Sequence, residues 1–325
     1  MLLQGVAAGL DRAFLELSVR PSLPRLSMHR SSKKLLVAEQ RTQSDIGDAA
    51  LFRTSQASLC VESTQASSTG GLRELQTTGT VPSLPLAEKW GVTAELHRPS
   101  AHWYVRGEPR PLVILVSGWS PSLRIEPAVR WPIARLDRAG FDVAVPSLPW
   151  KRHGRRDPTT AFPGADPCWN IVTIACIASE LVQLVCYAKS QGHPSIIMCA
   201  TSLGSHAIAL LATLPEAQLV DRFLLEKPLG QLSDLIRWHA RGDPIWCKHI
   251  ADRLQRVYRS VCPLDRKPMV SPGQVTVIGA AFDQVTPIRA AQEVADHFQV
   301  PLRPIKASHL FDPSRTQRLL RWLAD

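Results

Sequence analysis

The chain has 325 residues, enough for one large domain with an appendage, and 45% of them are apolar, the balance of a soluble globular protein with a sizeable core. A formal net charge of +10 draws polyanions toward the surface, yet the arginines are scattered among acids, few aromatics accompany them and no nucleic-acid-binding motif occurs. That excludes nucleic acid as the partner and leaves a bias toward anionic substrates or surfaces open.

In chain order, Leu2, Leu3, Val6, Leu10, Phe14 and Leu17 recur at helical spacing and predict an amphipathic N-terminal helix. Asp11 and Arg12 interrupt its apolar run and no basic segment precedes it, so it does not read as a cleaved signal peptide, and a cytoplasmic location is expected. Two roles stay open for it, a helix packed on the body or a peripheral membrane or partner anchor. Residues 1–40 are read as a helical extension. Residues 41–91, rich in Ser, Thr, Gln and Gly, are read as a flexible linker.

From residue 92 the pattern organises. TAELHRP and AHWYVRG read as two short strands of an antiparallel lead-in. The runs PLVILVSGW, FDVAVPSLP, PSIIMCATS, DRFLLEKP and QVTVIGAAFD are continuously apolar, as strands buried on both faces of a parallel sheet must be. Helical segments at 126–139, 170–190, 203–213 and 287–298 separate most of them. This alternation predicts an α/β fold with a doubly wound, mostly parallel sheet over 92–325. The apolar stretch 171–188 approaches membrane-span length, but Glu180 and Gln183 lie inside it, which favours a buried helix. Between 229 and 272 the alternation pauses for two or three helices with Trp238, Trp246 and many basic residues; a cap or lid above the strand ends and ordinary structural helices both fit. Seven cysteines, with no C-x-x-C pair and no zinc-like His/Cys spacing, read mostly as free buried thiols.

The chemistry is concentrated at three strand ends. PSIIMCATSLGSHAIALL runs a buried strand into Ala200-Thr201-Ser202-Leu203-Gly204 and then a helix, the form of a nucleophile elbow. A serine on such a turn is strained and exposed, so the positions two before and two after it must be small; Ala200 and Gly204 are. A neutral serine needs a base to take its proton, and the base needs a carboxylate to fix its tautomer. Asp283 closes QVTVIGAAFD, just past the strand end and ahead of a helix opened by Thr286-Pro287. His309 stands in the loop before the last helix. Glu226 and Asp312 are rival acids. Leu203, following the serine, and Trp119, after the Gly118 turn of the first parallel strand, are the expected backbone oxyanion donors. Arg155 and Arg156, in the basic loop 151–156 at the same sheet edge, are candidates to clasp a substrate phosphate or carboxylate.

The order Ser202, Asp283, His309 in these settings resembles the α/β-hydrolase superfamily over about seven-tenths of the chain. More narrowly, FDVAVPSLPWKRHGRRDP, ADRLQRVYRSVCPLDRKP and GAAFDQVTPIRAAQEVADHF resemble a bacterial branch of hydrolases related to abhydrolase-domain-containing-18-like proteins. The superfamily resemblance implies a Ser-His-Asp triad, no metal or organic cofactor, and a two-step acyl-enzyme route. Departures are Ser117 where many relatives carry His, Ala200 for the first elbow glycine, and Ser205-His206 after Gly204. The expected activity is hydrolysis of a carboxylic ester, with lipid or other anionic esters as the substrate class. The alternatives are an inactive scaffold of the same fold, or a thioesterase or peptidase using the same triad.

Overall fold

The structure, a computed structural model, describes residues 2–16, 28–42, 60–65, 73–78, 84–90, 100–119, 131–148 and 166–325. Its centre is the run of apolar strands. β1 (Cys60–Gln65), β2 (Arg73–Thr78), β3 (Ser100–Val105), β4 (Leu112–Val116), β5 (Asp142–Pro146), β6 (Ile196–Thr201), β7 (Arg222–Glu226), β8 (Val275–Ala280) and β9 (Leu302–Ile305) form one sheet. Its order is β1-β2-β3-β5-β4-β6-β7-β8-β9. The first three strands and β5 pair antiparallel, and β5 through β9 pair parallel.

The period-2 geometry of a strand sends alternate residues to opposite faces, and here both faces are core. Leu112, Ile114, Val116, Met198, Ala200, Phe223 and Leu225 face one apolar layer. Val113, Leu115, Val143, Val145, Ile197, Cys199 and Leu224 face the other. The first layer is closed by α5 (Pro167–Ser190) and α6 (Leu203–Leu211), the second by α4 (Ile133–Arg138) and α10 (Arg315–Ala324). In α5, 89% of the 18-residue apolar window is buried inside the protein, so its length serves the core. Cys168, Cys176, Cys186, Cys199, Cys247 and Cys262 are free, and all but Cys186 are buried.

The chain leaves β4 for β5 on one side, then crosses back to β6 on the other, with α4 and α6 on opposite faces. A reversal of this kind opens a crevice beyond the C-terminal ends of the two strands. Gly118 and Trp119 follow β4 there, and Ser202 follows β6.

Two expectations are revised, and a reading left open is narrowed. Within 41–91, β1 and β2 extend the sheet and α3 (Pro85–Trp90) packs Leu86, Ala87 and Trp90 into the core. Polar composition concealed β2 because a threonine occupies a core-facing position: Thr77 is buried and accepts from Trp103 Nε1 at 2.9 Å. The segment 229–272 is built into the body. α8 (Pro244–Val257) buries Ile250, Ala251, Leu254 and Val257, and Tyr258 accepts from Asn170 of α5 at 2.9 Å. Its Arg253 also donates to Glu39 of α2 (Met28–Thr42) at 2.8 Å. In α1 (Leu2–Phe14) the buried face is not the apolar stripe: Ala7, Asp11 and Leu15 turn inward, while Val6 and Leu10 are 49% and 44% exposed. The strand expected at TAELHRP lies outside the described residues, as does part of the helix expected at 126–139.

At the opposite edge of the sheet, Asp137 accepts from Arg106 Nε at 2.7 Å and from Arg110 Nη2 at 3.0 Å. The Arg106 bond, with Arg110 adding to it against some burial, holds this carboxyl down to about 2. A depressed folded-state value contributes stability above the ordinary carboxylate range, lost as pH falls through the folded value. Asp137→Asn is therefore expected to cost about 1–2 kcal/mol at pH 7. That is below the roughly 2.4 kcal/mol of the full shift, because Arg106 is 40% exposed and screened. Urea melts of both proteins should converge between about pH 4 and pH 2; a pH-independent gap would contradict the assignment.

Candidate active site

Ser202 has φ 57° and ψ −126°, a left-handed conformation that side chains avoid, at the junction of β6 and α6. Such strain amounts to about 1–3 kcal/mol and persists only where the surroundings enforce it. Here Ser202 N donates to Glu226 O at 2.9 Å, and Ser205 N closes on Ser202 O at 2.9 Å to begin the helix. Ser205 Oγ adds a bond to the same Glu226 carbonyl at 2.9 Å.

Two glycines make the approach feasible. A Cβ on Gly204 would stand 2.7 Å from Val116 O and 2.8 Å from Ser117 O, so the helix start lies directly on the end of β4. A Cβ on Gly118 would stand 2.9 Å from Ser202 Cβ, which places the β4 turn against the serine side chain. Smallness after the serine is thus a demand of the neighbouring strand as much as of the turn. His206 is wholly buried beneath the elbow with Nδ1 2.9 Å from Leu229 O; burial pushes it down to about 4, so it is a neutral core residue.

Asp283 and His309 come together. His309 Nδ1 lies 2.8 Å from Asp283 Oδ2, with side-chain exposures of 7% and 0%. Asp283 follows β8 and His309 follows β9, so adjacent parallel strands deliver the acid and the imidazole to one edge. The other carboxylate oxygen, Asp283 Oδ1, accepts from Val285 N and Thr286 N, both at 2.8 Å. Burial pushes the Asp283 carboxyl up, but the His309 charge and bond, the Thr286 amide and Lys227 hold it below the ordinary range. The carboxylate therefore stays ionised at neutral pH, fixing the His309 proton on Nδ1 and leaving Nε2 as acceptor.

The rival acids are engaged elsewhere. Glu226 accepts from Arg315 Nε at 2.7 Å and Arg318 Nη2 at 2.8 Å. Asp312 is paired with Arg318 and lies 3.8 Å from Lys227 Nζ. Trp119 is reached through ring contacts: Phe14 of α1 stands edge-on to it at 6.3 Å and stacks on His309 at 6.2 Å. Contacts thus run from Ser202 to Gly118, and from the neighbouring Trp119 through Phe14 to His309. Leu203 is buried as the first residue of α6, where its N–H has no acceptor within the helix. Arg155 and Arg156 lie outside the described residues.

Three contributors escape a sequence reading. Thr286 Oγ1 is 3.0 Å from Asp283 Oδ2 and 3.2 Å from His309 Nδ1. Lys227, buried and at φ 50°, donates from Nζ to His309 O at 3.0 Å. Asp11 of α1 is fully buried against the same loops. The sequence signal for Asp11 is an acid that interrupts the apolar run of the helix.

No family model matches the chain, and no curated protein does. Solved structures do match. An acetyl xylan esterase from Paenibacillus sp. R4 aligns with TM-score 0.59 at 12% identity, covering 96% of this chain and 98% of its own. Acetyl xylan esterase 1 from Thermoanaerobacterium sp. JW/SL YS485 aligns with TM-score 0.57 at 11% identity, covering 91% and 93%. A cold-adapted esterase from an Arctic intertidal metagenomic library aligns with TM-score 0.51 at 13% identity, covering 81% and 96%. The chain has the α/β-hydrolase fold. Ser202, Asp283 and His309 each follow the C-terminal end of a parallel strand, β6, β8 and β9.

The tight packing at the elbow yields a contrast between glycines. Gly204→Ala is expected to destabilise by about 1–3 kcal/mol, because backbone oxygens cannot yield to the new methyl. Gly107→Ala, with nothing within 4 Å of an added Cβ, should stay within about 0.5 kcal/mol. Equal melting temperatures for the two variants would contradict the packing described.

Proposed function

We propose that the chain hydrolyses a carboxylic ester through an acyl-enzyme on Ser202. The observation that carries this reading is the buried His309–Asp283 pair, held at the same sheet edge as a serine in a strained strand-to-helix turn. The esterase neighbours support it at the level of the fold.

The chemistry follows from the geometry. Ser202 Oγ attacks the ester carbonyl while His309 Nε2 takes its proton, and Asp283 stabilises the imidazolium through Nδ1–H. The carbonyl oxygen gains negative charge and is met by the backbone N–H groups of Leu203 and Trp119, the first reinforced by the N-terminus of α6. The imidazolium returns its proton to the departing alcohol. Water, activated by the same histidine, releases the acid. No metal or organic cofactor enters this scheme.

An apolar acyl group is the substrate feature best supported. Phe14 and Trp119 wall the space beside His309, and Leu310, next in sequence, is 44% exposed. Val6 and Leu10 add exposed apolar surface on α1. This favours a lipid-like ester, met in the cytoplasm with peripheral membrane contact through α1. The basic loop with Arg155 and Arg156 supplies the charge to bind an anionic head group. The narrower likeness to abhydrolase-domain-containing-18-like proteins is part of the same proposal.

Hydrolysis of p-nitrophenyl esters graded in acyl length tests the reading. The parent should favour medium over acetyl chains, and Ser202→Ala and His309→Ala should each lower kcat/KM at least about a thousandfold with the fold intact. Undiminished hydrolysis by Ser202→Ala would refute it.

A further inference from the structure

Asp11 lies at the centre of the buried face of α1, between Ala7 and Leu15, and is 0% exposed. A desolvated carboxylate among apolar neighbours is strongly unfavourable unless its lone pairs are filled. They are filled by the site's own loops. Asp11 Oδ1 accepts from Ser308 Oγ at 2.8 Å and Leu310 N at 3.0 Å. Asp11 Oδ2 accepts from His309 N at 2.8 Å and Gln284 N at 3.2 Å. One side chain thus bonds the backbone of the imidazole itself, both of its chain neighbours, and the residue following Asp283.

The same helix adds ring and apolar contacts. Phe14, one turn on, stacks on His309, and Leu15 packs against Val285 of the acid turn. Glu16 is ion-paired with Arg241, which ties the end of α1 to the turn between α7 (Asp234–His239) and α8. His239 in turn has Nε2 2.8 Å from Val285 O. An anchor held only by apolar contact would bury Val6 and Leu10; instead those are exposed and an acid is buried.

We infer that Asp11 is a positioning residue for the acid–imidazole pair, and that α1 is a structural wall of the active site. The two loops come from adjacent strands whose backbone ladder ends with Phe282 N donating to Ala307 O at 3.0 Å, and Asp11 bonds both loops just beyond that last rung. A rigid four-acceptor carboxylate ties them together there, because its two oxygens span both loops in one geometry. Charge specifies the role. An asparagine amide would set an NH2 against two of these donors, while alanine would leave all four without an acceptor. The inference rests on the ester-hydrolase reading for its kinetic readout, not for its structural one.

The test compares the full-length parent, Asp11→Asn and the milder Ser308→Ala, which removes one of the four donors. Two readouts are used: steady-state hydrolysis of a p-nitrophenyl ester, and the low-field proton resonance of His309 Nδ1–H bonded to Asp283. Asp11→Asn should lower kcat about tenfold to a hundredfold with KM within about twofold, since a misplaced base impairs the reaction more than binding. The resonance should broaden away through exchange with water. Ser308→Ala should move both readouts in the same direction, by a few-fold in kcat. A purely structural role would lower the melting temperature alone. Unchanged kcat and an intact resonance in a folded Asp11→Asn protein would overturn the inference. Should that variant fail to fold, an unchanged Ser308→Ala would overturn it. Absence of hydrolysis by the parent would defeat the ester reading, and the resonance would then decide the role of Asp11 by itself.

Discussion

The 2.8 Å hydrogen bond between His309 Nδ1 and Asp283 Oδ2 is the contact on which the arrangement at the sheet edge depends. Forming it requires burying an ionised carboxylate, which is unfavourable by several kcal/mol unless other groups replace water. The surroundings do this in layers. Two turn amides fill Asp283 Oδ1, the Thr286 hydroxyl lies beside Oδ2, and the Lys227 ammonium holds the His309 carbonyl. Burial at this site makes the pair directional. It also makes the pair sensitive, because removing one partner leaves a charge without compensation.

The serine is held by a different force. Its strained φ is balanced by packing, with β6 and α6 locked into the main apolar layer and the end of β4 lying against the turn. Ser202 is therefore fixed by the core, whereas His309 is fixed by polar bonds among loops. The two halves meet across Gly118, Trp119 and Phe14, so the crevice at the strand reversal has a wall contributed by a helix nearly 300 residues upstream of the histidine. Buried Glu226, bonded to Arg315 and Arg318, closes the edge by pinning α10 under β7.

How much of this was legible in the sequence depends on which periodicity each part left behind. β4 to β8 are apolar on both faces, and such runs announce a parallel sheet with chemistry at its ends; Ser202 and Asp283 stand at the ends of such runs, whereas His309 is marked by its loop before the last helix and by the Ser-Asp-His order. β1 and β2 left no such signal, because an edge ribbon with Thr77 turned inward looks like linker. α1 misled in part: Val6 and Leu10 of its apolar stripe are exposed while Phe14 turns toward Trp119 and His309, and the inward face is organised by Asp11. Thr286 and Lys227 meet Asp283 and His309 only because the topology brings them together, and local sequence carries no trace of those neighbours. Ser205 and His206, departures from the superfamily pattern, are core residues beneath the elbow.

The central claim is that the hydroxyl of Ser202 is the one made reactive by this arrangement. Treating the folded protein with a fluorophosphonate and mapping the adduct by peptide mass spectrometry tests it most directly. A single adduct is expected on the tryptic peptide 190–222, located at Ser202 and not at Ser190, Ser195 or Ser205. An adduct on another residue, or a folded protein that takes up none, would contradict it.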